Sequence, residues 1–248
     1  MIETRNISKG FADKKVIKDI SVIFERGKTN LIIGPSGSGK TVLMKCIVGL
    51  LDVDEGHILF DDRPFTEMSF NEKKVIRQEI GMMFQGGALF DSMNVEENVM
   101  FPLTLFTKKS LEEKRDRVNF CLKRVNLENV NKLYPAEISG GMKKRVAIAR
   151  AIAMNPSYLF CDEPNSGLDP KTSILIDNLI SEITQEYQMT TVINTHDMNS
   201  VIEIGDKIAF VYTGKLWWVG DKHQILDTDN AELNNFVYAT ELTRRLKK

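Results

Sequence analysis

The chain has 248 residues, 42% of them apolar and 27% charged, a balance that can bury a sizeable core and excludes an intrinsically disordered protein. Thirty-three basic residues against 34 acidic ones leave a net charge of −1, so no global field draws it to nucleic acid. With no long apolar run and no charged-then-apolar leader, the sequence predicts neither a membrane span nor a cleaved secretory signal. Cys46, Cys121 and Cys161 are odd in number, far apart and free of any CxxC spacing, which fits reduced thiols in a cytoplasm. Cys161 stands in an apolar run and reads as packing.

In chain order, Ile2 to Ile7 and Val16 to Phe24 read as strands, with Gly10 to Lys14 as the turn between them. Thr29 to Ile33 is a short apolar strand, and Lys40 to Leu51 has helical periodicity. Lys74 to Glu79 reads as helix and Ile80 to Phe84 as a strand ending at Gln85. Residues 86–155 are mostly helical in pattern. There Ser110 and Glu113 form a capping box, and Val118, Cys121, Leu122 and Val125 form an apolar face. Tyr158 to Cys161 is the next strand. Pro170 to Tyr187 follows as a helix that Asp169 can cap. Thr190 to Asn194 is a buried strand, and Ile208 to Tyr212 with Leu216 to Val219 forms a hairpin around Thr213-Gly214. Buried strands alternating with helices predict an α/β fold with a mostly parallel sheet, interrupted by a helical subdomain.

Gly34-Pro35-Ser36-Gly37-Ser38-Gly39-Lys40-Thr41 fills every fixed place of a phosphate-binding P-loop, between a predicted strand and a predicted helix. Successive N–H groups there encircle phosphate oxygens at the positive end of a helix. Lys40 then reaches the β- and γ-phosphates of a nucleoside triphosphate, and the Thr41 hydroxyl ligates Mg²⁺. Tyr158 to Glu163 is an apolar strand ending in two carboxylates, at the sheet edge where α/β folds bind ligands. Asp162 suits Mg²⁺, directly or through water, and Glu163 suits an attacking water; the alternative is an acidic turn before Pro164. Ser139 opens a further helix, with Gly140 and Gly141 in its first turn, and so makes a second anion site.

Ile138-Ser139-Gly140-Gly141-Met142 resembles the signature motif of ATP-binding cassette ATPases. The ordered set Phe11, P-loop, Gln85, signature, Asp162-Glu163, Ser166-Gly167-Leu168-Asp169 and His196 is similar to that family over residues 5 to 220. The resemblance implies one ATPase domain over residues 1–248. Its P-loop NTPase core spans about 1–85 and 156–220, with an N-terminal antiparallel β portion, a helical subdomain at 86–155 and a tail at 221–248. It implies ATP and Mg²⁺ as cofactors, Gln85 as a Mg²⁺ ligand and catalytic group, and His196 as the switch histidine at the γ-phosphate. Phe11 lies 23 positions before Gly34, where the family stacks an aromatic on adenine; a buried turn aromatic is the alternative. Ser139, Gly140, Gly141 and Asp169 act on the nucleotide of a second copy, so the resemblance implies a homodimer with two shared sites.

Gln85-Gly86-Gly87-Ala88-Leu89-Phe90, Met93-Asn94-Val95 and Met142 resemble the ATPases of Mla-type, MCE-associated phospholipid transporters. That narrower likeness implies an integral-membrane permease, an MCE-domain lipid-binding protein and peripheral attachment to the cytoplasmic side of the inner membrane. The apolar stretch from Met82 to Phe101 is where such a permease inserts a helix, with Met82 to Phe84 read as core. Amino-acid, lipoprotein or drug transport is the alternative for the same enzyme, and DNA repair or translation the alternative outside transport. Phe236, Leu242 and Leu246 are candidate anchors for the tail, and Arg244, Arg245, Lys247 and Lys248 read as a solvated terminus.

Overall fold

The computed structural model describes residues 1–12 and 14–238. Two antiparallel strands come first, β1 (Ile2–Phe11) and β2 (Lys14–Phe24), and they pair as far as Phe11 with Lys14. Phe11 therefore ends a strand instead of sitting within a five-residue turn. β3 (Thr29–Ile33) is buried at every position and leads to α1 (Lys40–Ile47). This helix stops short of the expected Leu51 because Gly49 takes φ 74, a left-handed conformation that terminates helices and suits glycine. A Cβ at Gly49 would also stand 2.6 Å from the Phe65 ring.

β4 (Glu55–Phe60) and β5 (Arg63–Pro64) complete an antiparallel sheet of order β2–β1–β4–β5. The sequence reading names no strand here. Ile58, Leu59 and Phe60 are buried in succession, and such a run has no alternation to mark it as a strand. α2 (Phe70–Gln78) begins before the expected Lys74, at a capping box. In it Glu72 accepts from the Ser69 N–H at 2.8 Å and its own N–H reaches Ser69 Oγ at 3.4 Å.

β6 (Ile80–Met83) is followed by three helices, α3 (Val95–Phe106), α4 (Leu111–Arg124) and α5 (Gly140–Ile152). Non-helical segments at 84–94, 107–110 and 125–139 precede them in turn, so residues 86–155 are less continuously helical than their composition suggests. α4 opens on the Ser110–Glu113 box, and Val118, Cys121, Leu122 and Val125 are all buried beneath it. β7 (Tyr158–Asp162), α6 (Pro170–Tyr187) and β8 (Thr190–Asn194) then follow in alternation. α7 (Met198–Ile204), β9 (Lys207–Tyr212) and β10 (Lys215–Gly220) complete the second sheet. The β9–β10 turn is Thr213-Gly214, both with positive φ, as a tight hairpin requires.

The second sheet has the order β10–β9–β3–β8–β7–β6 and is parallel except for β10. The fold is thus α/β, with an antiparallel sheet at one side and a group of helices between β6 and β7. β8 lies between β3 and β7, with Asn194 level with both Ile32 and Asp162. The carboxyl ends of the three strands therefore meet at one edge, and the motifs that follow them meet there too.

α8 (Ala231–Val237) buries Leu233 and Val237 and sets Phe236 against Phe210, with ring centroids 5.6 Å apart. Leu242, Leu246 and the basic residues Arg244, Arg245, Lys247 and Lys248 lie outside the described residues. No helix among the described residues is long and apolar enough to cross a membrane. All three cysteines are buried, and burial pushes the Cys161 thiol up to about 12, which makes it a packing group.

The close approach of β6 to α5 rests on Gly81, where a Cβ would stand 2.3 Å from the Ala151 carbonyl oxygen. Gly81→Ala is expected to lower unfolding free energy by about 1–3 kcal/mol in urea titration, because backbone must shift to admit the methyl group.

Candidate functional site

The P-loop is shaped by three glycines in the positive-φ region, Gly34 at 145°, Gly37 at 78° and Gly39 at 108°. At Gly34 a Cβ would meet the Val211 carbonyl oxygen at 2.1 Å, so only glycine fits between β3 and β9. The loop is braced from outside as well. Gly214 of the β9–β10 turn donates its N–H to Ser38 O at 3.0 Å, and Val16 and Ile17 of β2 lie against Gly39. Lys40 Nζ curls back over the loop and donates to Gly34 O at 2.8 Å and Pro35 O at 3.1 Å. Burial pulls its pKa below the usual lysine value, opposed by the charges of Glu163 and Asp162.

At the neighbouring strand ends, Asn194 Nδ2 donates to Asp162 Oδ1 at 2.5 Å and to Thr41 Oγ1 at 3.2 Å. A single amide on β8 thus ties the carboxylate of β7 to the hydroxyl of α1. Sequence reading missed Asn194, although its place at the end of a buried strand beside His196 is a usable signal. Glu163 follows Asp162 with φ 49, an uncommon conformation for a residue with a side chain, and its N–H is held by Asn194 O at 2.8 Å. Its carboxylate meets His196 Nδ1 at 2.8 Å. Lys144 of α5 was also missed. It is buried, and its Nζ donates to the Glu163 carbonyl oxygen at 3.4 Å, with burial lowering its pKa.

Pro35, Ser36, Glu163, Ser166, Gly167 and His196 share the wall of a cleft of about 700 Å³. Phe236 and Val237 of α8 close one side of it. Gln85 leaves β6 at the same sheet edge, two residues beyond Met83, whose partner is Cys161. Phe11 is 46% exposed with Lys9 Nζ 5.7 Å above its ring, which removes the buried-aromatic alternative. Ser139 caps α5 by accepting from the Met142 N–H at 3.2 Å, and Gly140 and Gly141 pack against Leu168 and Thr172. No residue from Ser139 to Met142 lines the cleft. The signature helix therefore starts beside its own Ser166–Asp169 segment. Asp169 caps α6 through Thr172, with bonds of 3.0 Å to its N–H and 2.5 Å to its hydroxyl.

The residues present fit a nucleoside triphosphate and a magnesium ion. Lys40 bonds to carbonyls and makes no ion pair among the described residues, and Ser38 Oγ is buried without a partner. Asn194 Oδ1 is likewise buried and unpartnered beside Asp162. No set of three His, Cys, Asp or Glu side chains among the described residues can hold a metal by itself. One carboxylate and one hydroxyl are the sparse protein donor set that suits Mg²⁺ shared with phosphate oxygens.

A second concave surface of about 410 Å³ lies behind the Gln85 loop, between β6, α3 and α5. Phe84, Phe90, Phe101 and Phe106 line it, and Arg77 and Arg150 stand at its rim. Of the strand residues expected to be core, Met83 is fully buried. Met82 is half-buried and packs against the core between the two sheets while reaching this groove. Phe84 is exposed in the groove, because the strand ends at Met83 and the chain turns outward.

A family model described as ABC transporter matches residues 17–166, and the chain belongs to that family. Among curated relatives, the probable ribonucleotide transport ATP-binding protein mkl of Mycobacterium leprae is 37% identical over 236 residues, covering 95% of this chain and 68% of that protein. The methionine import ATP-binding protein MetN of Clostridium tetani is 40% identical over 244 residues, covering 98% of this chain and 76% of its own. A solved dimeric ATP-binding cassette in a post-hydrolysis state, bound to ADP and Pi, superposes with a TM-score of 0.81 at 32% identity. That match covers 90% of this chain and 99% of the cassette. The chain is an ABC ATPase domain whose cofactors are ATP and Mg²⁺.

Asn194→Ala removes the bridge between Asp162 and Thr41. Its expected effect is a roughly tenfold rise in the Mg²⁺ concentration needed for half-maximal hydrolysis, as for other groups that orient metal ligands. Steady-state ATPase assays across a Mg²⁺ series, at saturating ATP, read this directly.

Proposed function

We propose that the protein is the ATP-hydrolysing subunit of a membrane transporter, working as a homodimer of single-domain chains with two shared nucleotide sites. The observation that carries this reading is the Glu163–His196 pair, 2.8 Å apart in a cleft walled by the P-loop, while the Ser139 helix begins elsewhere on the same chain. A head-to-tail partner brings its Ser139, Gly140, Gly141 and Asp169 to complete each site.

In this reading the Gly34–Thr41 N–H groups and Lys40 hold the phosphates, and Phe11 offers its exposed face to adenine. Thr41, Asp162 and Gln85 hold Mg²⁺, which when bound neutralises phosphate charge. Glu163 accepts the proton of the attacking water, and its hydrogen bond to His196 aims the carboxylate. His196 in turn senses the γ-phosphate. Catalysis then consists of positioning and charge stabilisation.

The groove behind Gln85 takes an amphipathic helix of an integral-membrane permease, because four phenylalanines on a short exposed surface suit apolar helix anchors. The protein accordingly sits peripherally on the cytoplasmic face of the membrane. For cargo we infer phospholipid, moved with an MCE-domain partner, from the segments Gln85–Phe90 and Met93–Val95 and from Met142. Small-solute import is the second reading. It is favoured by the relative named for methionine import, whose 40% identity extends over 98% of this chain.

Glu163→Gln keeps the side-chain shape and removes the base. Turnover is expected to fall by about a hundredfold or more, roughly 3 kcal/mol in barrier, with ATP binding retained. Near-normal hydrolysis would reject the assignment. Mixed Lys40→Ala and Ser139→Arg chains are expected to regain activity above either alone, since each heterodimer rebuilds one intact site. No gain on mixing would mean that each site is complete within one chain. Affinity purification from native membranes, followed by vesicle assays with the recovered permease, separates the cargo readings. Phospholipid movement abolished by Lys40→Ala supports the first, and an amino-acid permease without lipid movement supports the second.

A further inference from the structure

Three buried polar side chains, Asn165, Asp177 and Ser200, meet beside the cleft, with fractional exposures of 9%, 2% and 1%. They come from three elements. Asn165 lies two residues beyond Glu163, Asp177 is on α6, and Ser200 is on α7, the helix that starts just after His196. Asn165 Nδ2 donates to Asp177 Oδ1 at 2.8 Å and to Ser200 Oγ at 3.0 Å. Asn165 thus ties the carboxylate on α6 and the hydroxyl on α7 into one polar cluster.

This cluster is expensive for the fold. Burial pushes the Asp177 carboxyl up to about 6, with Asp197 and Glu203 adding repulsion and the bonds from Ser200 and Asn165 opposing it. Asn165 Oδ1 is also buried without a partner. Apolar side chains of similar volume would cost less to bury, so stability alone does not account for the arrangement. Its position does. The Glu163 turn is held at its start by the bond from Glu163 N–H to Asn194 O, and at its far end Asn165 is tied to α6 and α7. A left-handed conformation at a glutamate persists only where the surroundings over-determine it.

We propose that Asn165, Asp177 and Ser200 are positioning residues that set the separation between the Glu163 turn and α7, the helix that follows His196, and with it the aim of the Glu163 carboxylate. Asp177 and Ser200 lie behind the cleft, whose wall Asn165 joins, and the cluster acts through Glu163 and His196. The proposal rests on the reading of Glu163 and His196 as the hydrolytic pair, which Glu163→Gln tests separately.

The full chain carrying Asp177→Asn, Ser200→Ala, Asn165→Asp or the exchange Asn165→Asp with Asp177→Asn supplies the test. Steady-state ATPase kinetics, ATP binding and melting at neutral pH are read for each. Asp177→Asn is expected to lower kcat by about tenfold or more, the scale of a small misplacement of a catalytic group, with KM and ATP affinity within about twofold. Its melting temperature should be no lower than wild type, because a buried charge has been removed. A residue that merely stabilised the fold would lose melting temperature and activity together.

Ser200→Ala should show the same split between kcat and KM. Asn165→Asp alone sets two carboxylates face to face and should lower both melting temperature and kcat. The exchange restores one amide facing one carboxylate and should recover kcat to within about threefold, as coupled neighbours do. Unchanged kcat in Asp177→Asn and Ser200→Ala, or an exchange no better than its worse single variant, would overturn the proposal. Because Asp177→Asn is expected to fold, failure of Asn165→Asp to fold leaves the decision with the first two variants. If Glu163→Gln itself hydrolysed ATP normally, the hydrolytic reading would fall instead.

Discussion

The site depends on one topological insertion. β8 lies between β3 and β7, so the last of these three strands in sequence separates the P-loop strand from the carboxylate strand. Had β3 and β7 been neighbours, Asp162 and Thr41 would have had nothing between them. Instead Asn194 stands level with Asp162, and its amide donates to both. The bond to Asp162 lies in low-dielectric surroundings, where a hydrogen bond to a carboxylate is strong and hard to replace. The same residue's carbonyl holds the Glu163 N–H, so one position sets the direction of two acids.

Around that point the structure accepts local cost in exchange for geometry. Gly34, Gly37 and Gly39 take backbone angles open chiefly to glycine, and Glu163 takes one that is uncommon for its type. Lys40 is buried against carbonyl oxygens. Asp177 is buried with a raised pKa. What offsets these terms is ordinary apolar packing. A core between the second sheet and α3 to α6 and another between the two sheets flank the site, with Ile32, Val192 and Phe160 fully buried on one face and Leu31, Ile193 and Cys161 on the other.

α5 links distant parts of the molecule. Its first turn packs on Leu168 and Thr172, Lys144 reaches the Glu163 carbonyl, and Arg150 donates to the carbonyls of Gly87 and Ala88. The Arg150 guanidinium also lies 5.8 Å from the Phe90 ring at the rim of the apolar groove. A rigid helix thus touches the segment before α6, the Glu163 turn and the loop that follows β6. One helix therefore carries contacts to three places whose relative positions it fixes.

Much of this was legible in the linear chain. The phosphate loop, the Tyr158–Asp162 strand and the Asp169 cap are local patterns, because backbone conformation, strand burial and helix capping are decided by residues within a few positions of one another. The bounds of β3, β8 and α6 followed for the same reason. β4 did not, since three consecutive buried residues carry no period, and neither did the outward turn at Phe84. Tertiary structure alone decided which polar groups meet. Asn194 with Thr41 is a contact across 153 positions, Arg150 with Gly87 one across 63, and Asn165 with Ser200 one across 35. Such pairs are set by strand order and helix packing, which bring together side chains whose sequence neighbours give no sign of the partner.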